Sequence, residues 1–294
     1  MTTHVFQNRW MPYLLLLPSI ILVIVFFIVP AVQSIELSLY RVHAFSGRRI
    51  FVGLENFERL FQSEEYLGSV GVTAMFVAFV VVVGLSLSLL LAVGANQPIK
   101  GFGVYRTLLI WTYALSPAVA GAIWLLLTDP TIGPLPHYLE TFGIAFNRNT
   151  NSTHALLFVS LAATWKMLGY NVVFFLAGLR NIPVDVKEAS ALDGANAWTR
   201  FWRITFPLLT PTTLFLLIMN TLYAAFQTFG LIDLTTWGGP GRATNILIYQ
   251  LYKDGFVNAN RIGSASAQSI LLLVLVAVLT IIQFRVVGRR AFYQ

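Results

Sequence analysis

Lys166 is the only Asp, Glu, Lys or Arg between Asn149 and Leu179. An ionisable side chain that deep in an apolar run is costly in lipid, so it turns toward a cavity, a polar partner or a solute. Tyr170 follows one helical turn later on the same face, and Asn220, Tyr223 and Gln227 recur at i, i+3 and i+7 in another apolar run. Such a stripe can draw an anionic or hydroxyl-rich solute across a bilayer. The same side chains can instead hydrogen-bond helix to helix. Sequence alone leaves both readings open.

A second constellation is the polar stretch from Arg180 to Pro207, RNIPVDVKEASALDGANAWTRFWRITFP. Pro183 suits a first helical turn, and Asp185 and Glu188 lie near the positive end of the helix dipole. Gly194 offers a stop, because glycine readily takes the left-handed conformation that ends helices. Asn196 can then cap a second short helix that sets Trp198, Phe201 and Trp202 on one face. The spacing predicts a helix–Gly–helix elbow.

The elements that must carry these residues follow from how little charge there is. Of 294 residues, 57% are hydrophobic and 11% charged, with mean hydropathy +0.73. Soluble domains carry about 25% charged residues, so an ordinary soluble enzyme, a disordered protein and a nucleic-acid-binding module are excluded. Charged residues divide the chain into apolar runs, each long enough for one crossing of about 20 residues. Six spans are expected, near 12–35, 69–94, 105–127, 156–179, 209–231 and 266–287. The first reads as a retained helix rather than a cleaved signal, because its apolar stretch is too long and no small-x-small site follows. Unbroken apolar runs mean helices, since barrel strands would alternate. Ser116-Pro117 should bend the third span, and Gly263 with Ala267 suits close helix packing in the sixth. The fold class is therefore all-α, a polytopic membrane protein with six transmembrane helices.

With the N-terminus inside, ten basic residues fall on inner segments (Arg9, Lys100 and Arg106 among them) and eight on outer ones, Arg148 included. The elbow supplies the stronger orientation. Glu188-Ala189-Ser190, then Gly194, then Ile204-Thr205-Phe206-Pro207 resembles the EAA loop of ABC importer permeases, EAA-x3-G-x9-I-x-L-P, with Ser190 and Phe206 as the two departures. Trp10-Met11-Pro12-Tyr13-Leu14-Leu15, Val52-Gly53-Leu54-Glu55-Asn56-Phe57, Trp165-Lys166 and Phe229 through Pro240 resemble the carbohydrate-uptake branch. Phe226-Gln227-Thr228-Phe229, Ile232-Asp233 and Tyr252-Lys253-Asp254-Gly255-Phe256 resemble most its permeases for sn-glycerol 3-phosphate.

The resemblance implies a type I importer permease in a bacterial inner membrane with both termini cytoplasmic. It implies a first helix and outer loop over 1–68, a five-helix core over 69–288 and a tail over 289–294. It further implies pairing with a second homologous permease, two ATPase subunits below, and an extracytoplasmic binding protein delivering substrate. Glu188, Ala189, Asp193, Gly194, Trp198, Ile204 and Pro207 are the ATPase-docking residues so implied. The substrate would be sn-glycerol 3-phosphate or a glycerophosphodiester, with a di- or oligosaccharide as the alternative. Lys166, Tyr170, Asn220, Tyr223 and Gln227 are the candidates for its path.

No cofactor is expected within the chain. Gly-Lys never occurs, so there is no GxxxxGK[ST] phosphate cradle and ATP must be bound by partner subunits. The chain has no cysteine, HExxH or GxSxG, which argues against an enzyme or a metal site. A secondary transporter would not need the glycine-hinged elbow, and no clear inverted repeat is visible.

Overall fold

The computed structural model describes residues 10–42, 47–96, 101–258 and 261–287; Arg9, Lys100, Arg289, Arg290 and the expected tail at 289–294 lie outside these. The chain begins with α1 (Met11–Val23) and α2 (Val29–Ser38), joined by a π-helical turn, Ile24–Ile28. Pro30 lacks the N–H that an α-helix would use in that turn. A small antiparallel pair follows, β1 (Tyr40–Val42) and β2 (Arg49–Phe51), with Tyr40 opposite Phe51, then α3 (Glu55–Gln62). After them come α4 (Glu64–Ala95), α5 (Phe102–Ala114), α6 (Pro117–Leu127), α7 (Pro134–Thr141) and α8 (Ser152–Arg180). The elbow holds α9 (Val184–Leu192), α10 (Ala197–Arg200) and α11 (Phe206–Leu208). Beyond it lie α12 (Thr210–Leu222), α13 (Phe229–Thr235), α14 (Leu247–Tyr252) and α15 (Ile262–Val287).

Four of the expected spans are single helices long and apolar enough to cross a bilayer: Tyr13–Ser38, Glu64–Ala95, Ser152–Arg180 and Ile262–Val286. The other two are interrupted. The third is not merely bent, because α5 and α6 meet at 106° across Leu115 and Ser116. Leu115 is extended, and Ser116 caps α6 by accepting from Val119 N–H at 3.2 Å. Pro117 forces the break, since it cannot donate and its ring crowds the carbonyl four residues back. The fifth span is α12 plus the π-helical turn Tyr223–Gln227, ends at Thr228, and meets the elbow at 66°.

The chain forms two compact units. The first comprises Met1–Ser63 and Leu251–Leu271. In it, Asn56 is buried and donates to Ser38 O (2.7 Å) and Tyr40 O (3.0 Å), tying the end of α2 to β1. Asp254, also buried, accepts from Gln268 Nε2 (2.6 Å), Arg261 (3.2 Å) and Asn258 (3.4 Å), so its charge is fully engaged. Gly263 approaches this unit's backbone more closely than helix-on-helix packing requires. A Cβ there would lie 2.0 Å from Tyr40 O.

The second unit comprises Glu64–Gln250 and Leu272–Gln294. Its apolar core joins Val81, Leu85 and Ala92 of α4 to Val172, Phe175 and Leu179 of α8, with Leu209 and Leu216 beside them. Arg148, assigned above to a loop on charge alone, is buried. It donates to Leu125 O at 3.1 Å and to Thr128 Oγ1, and its guanidinium lies 5.1 Å from the Phe158 ring centroid. It thus neutralises the carbonyl end of α6. Desolvation lowers its pKa, with Asp129 opposing that shift.

Candidate functional site

The elbow forms as its residues dictate. Gly194 has φ +77°, the left-handed region that side chains resist. Around it Asp193 N–H donates to Ala189 O (3.0 Å) and Ala195 N–H to Ser190 O (3.1 Å), closing the carbonyl end of α9. Asn196 then caps α10, its Oδ1 accepting from Thr199 N–H at 2.8 Å. Past α10 the backbone loosens into a π-helical turn, Phe201–Thr205, where Ile204 is half-buried, and Pro207 sits in α11.

What the elbow leaves uncovered matters more. Leu192 is 89% exposed and Trp198 72%, with Val184 and Trp202 also open, while Glu188, Ala189 and Asp193 are exposed around them. Trp198 and Trp202 pack edge to face at 5.7 Å, and Trp202 touches Phe206 at 5.3 Å. The rings therefore form one contiguous aromatic surface. Ser190, the polar departure from the motif, is buried. An apolar patch of this kind rimmed by carboxylates is what a protein interface looks like before its partner arrives.

The second site lies in the spans. Lys166, at the midpoint of α8, is 7% exposed. Its Nζ is 5.2 Å from the Tyr113 ring centroid, 5.4 Å from that of Tyr223 and 3.4 Å from Tyr113 O. The Tyr170 ring packs at a tilt against Tyr113 at 4.8 Å and Phe174 at 4.7 Å. Lys166, Tyr170 and Tyr223 therefore share one aromatic-walled region, to which the structure adds Tyr113.

The remaining stripe residues do not share a face. Asn220 is fully buried in a reciprocal amide pair with Asn171, donating at 2.8 Å and accepting at 3.0 Å, and also donates to Leu216 O. Gly84 of α4 lies against this pair. Gln227 is exposed, because the π-helical turn rotates it off the face that α-helical spacing predicts. Replacing either Asn171 or Asn220 by Leu strands the other amide, at about 1–3 kcal/mol. The double replacement costs less than the sum of the two. Thermal unfolding midpoints of the four proteins in detergent provide the cycle; additive losses would contradict a direct pair.

A ladder on α4 adds a further polar contact that the sequence does not announce. Glu65, Ser69 and Thr73, four residues apart, meet Arg242 (3.5 Å), Asn245 Nδ2 (3.1 Å) and Leu247 N–H (2.8 Å) respectively. Thr244 Oγ1 adds a bond to Gly239 O at 2.9 Å. The glycine-rich segment at 238–241 is thereby clamped. The period of four in α4 was the visible signal; its partner segment was not.

Residues 84–292 match the family described as "Binding-protein-dependent transport system inner membrane component". The chain belongs to that family. It is also 47% identical over the whole of both chains to the sn-glycerol-3-phosphate transport system permease protein UgpA of Agrobacterium fabrum. It is 46% identical to the protein of that name in Rhizobium meliloti, over 98% of each chain, and 44% identical to that of Yersinia pestis, again over 98% of each. Two solved structures share the fold. One is a bacterial ABC transporter involved in import of the acidic polysaccharide alginate, with TM-score 0.79, 23% identity and 95% and 96% coverage. The other is a bacterial alginate ABC transporter in complex with an alginate pentasaccharide-bound periplasmic protein, with TM-score 0.80, 22% identity and 95% and 94% coverage. The protein is thus an ABC importer permease, a transport subunit rather than an enzyme, with the type I fold. In the permease both the elbow and the lysine region fall inside the family match.

Proposed function

We propose that this permease carries sn-glycerol 3-phosphate or a glycerophosphodiester inward, driven by ATP hydrolysis on two partner subunits. Full-length identity to permeases named for sn-glycerol 3-phosphate carries the substrate reading. Lys166, a buried ammonium within a span and without a carboxylate partner among the described residues, fits a phosphate-bearing solute. A second permease completes the path, with Lys166, Tyr170 and Tyr223 contributed from this side and Gln227, exposed at the end of its π-helical turn, available to it. The exposed Leu192, Trp198 and Trp202 receive an ATPase subunit on the cytoplasmic side, with Glu188 and Asp193 at the rim and Ala189, Ile204 and Pro207 shaping the support. The termini are then cytoplasmic, and an extracytoplasmic binding protein loads substrate from the opposite face. No cofactor is needed on this chain.

The test is uptake by the complete transporter reconstituted in proteoliposomes. Radiolabelled sn-glycerol 3-phosphate should enter with ATP, be competed by glycerophosphodiesters, and be unaffected by maltose. Competition by disaccharides alone would move the assignment to a sugar importer.

A further inference from the structure

A lysine buried at the midpoint of a span must be compensated by something, and among the described residues no carboxylate does so. The break in the third span supplies an answer. Tyr113 stands four residues before Pro117. In an unbroken helix its carbonyl would accept from the N–H of residue 117, which proline lacks. Lys166 Nζ lies 3.4 Å from that carbonyl. It therefore sits at the carbonyl end of α5, where the half-helix carries its partial negative charge. The faces of Tyr113 and Tyr223 flank the same ammonium.

We propose that Lys166 is a positioning residue that holds the break in the third span closed, donating to the Tyr113 carbonyl that Pro117 leaves without a partner. The lysine links three spans at one depth. It stands on α8, meets the end of α5, and lies against Tyr223, the residue at which the fifth span changes to π-helical geometry. A cation shared between a helix end and the proposed solute path also gives an anion in that path a way to loosen the break. This extends the transport reading above, but the central observation can be made with no substrate present.

The experiment uses the complete transporter in nanodiscs, without substrate or nucleotide. Spin labels go on Leu108→Cys and Leu126→Cys, exposed positions on α5 and α6 of a chain with no cysteine of its own. The distance distribution is compared for Lys166, Lys166→Met, Pro117→Ala and the Lys166→Met/Pro117→Ala double variant. Lys166→Met should raise the population outside the main peak about fivefold and raise substrate-independent ATP hydrolysis. Pro117→Ala supplies the backbone N–H that the Tyr113 carbonyl accepts when the span straightens, so the methionine substitution should have a much smaller effect in that background. If the methionine variant does not assemble, Lys166→Gln, uncharged and shorter in reach, is measured with the same two outcomes. An unchanged distribution would overturn the proposal, as would equal broadening with and without Pro117. A changed KM for uptake with an unchanged distribution would leave Lys166 as a substrate contact only.

Discussion

Gly194→Val is expected to leave the permease inserted but to separate ATP turnover from uptake. Nothing lies within 4 Å of where a Cβ would stand at Gly194, so the substitution meets no clash inside the chain. Its cost is torsional. At φ +77° an L side chain costs about 1–2 kcal/mol, a factor of about 5–30 in the ratio of native to escaped elbow. Valine, branched at Cβ, belongs at the upper end. When the backbone escapes that conformation, the bonds from Asp193 and Ala195 onto α9 are lost. Leu192 and Glu188 then no longer share a surface with Trp198 and Trp202. Uptake should therefore fall by at least an order of magnitude at normal membrane abundance. ATP hydrolysis by the partner subunits should no longer respond to the loaded binding protein. Parallel uptake and ATPase assays on one preparation decide the matter, and wild-type uptake by this variant would remove Gly194 from the coupling account.

Gly263→Val acts on the fold rather than on coupling. A Cβ at this position would lie 2.0 Å from the Tyr40 carbonyl and 3.0 Å from Asn56 Nδ2. The first is backbone and cannot turn aside. The second is the amide that ties Ser38 and Tyr40 together. The first unit must open to admit any side chain, which costs at least the 1–3 kcal/mol typical of overpacking. Lost amide bonds add about 1 kcal/mol each. The variant should be nearly absent from membranes at 37 °C, and Gly263→Ala should show a clearly lowered unfolding midpoint in detergent. An alanine variant as stable as the parent would contradict this close approach.

Features set by local chemistry were readable from sequence. The apolar runs located the spans, Pro117 located the break, and Gly194 with Asn196 located the elbow's stop and restart. Each depends on one or two residues acting on their own backbone. Features that require two distant segments to meet were not readable. Asn171 draws no attention in the sequence, yet Asn220 is satisfied through it across 49 residues. Tyr113 looks like any aromatic residue in a span until Lys166 is found beside its carbonyl. The ladder from α4 to the 242–247 segment joins residues 174 and 176 apart. The stripe on the fifth span shows a different limit. Its spacing assumed α-helical geometry throughout, and the π-helical turn carried Gln227 out of line. Gly263 was recognised as a site of close packing, but its neighbour proved to be a backbone carbonyl near β1 rather than a helix face.

In the transport cycle proposed above, the exposed elbow is where the ATP-hydrolysing partner binds. Because the chain lacks cysteine, Leu192→Cys carries the only thiol on this subunit. Its rate of maleimide labelling is measured in the permease pair alone and in the complete transporter, with any cysteines removed from the partner subunits. Labelling should be rapid in the pair and slowed at least tenfold once the ATPase subunits are bound. Equal rates in an assembled, transport-active complex would contradict it.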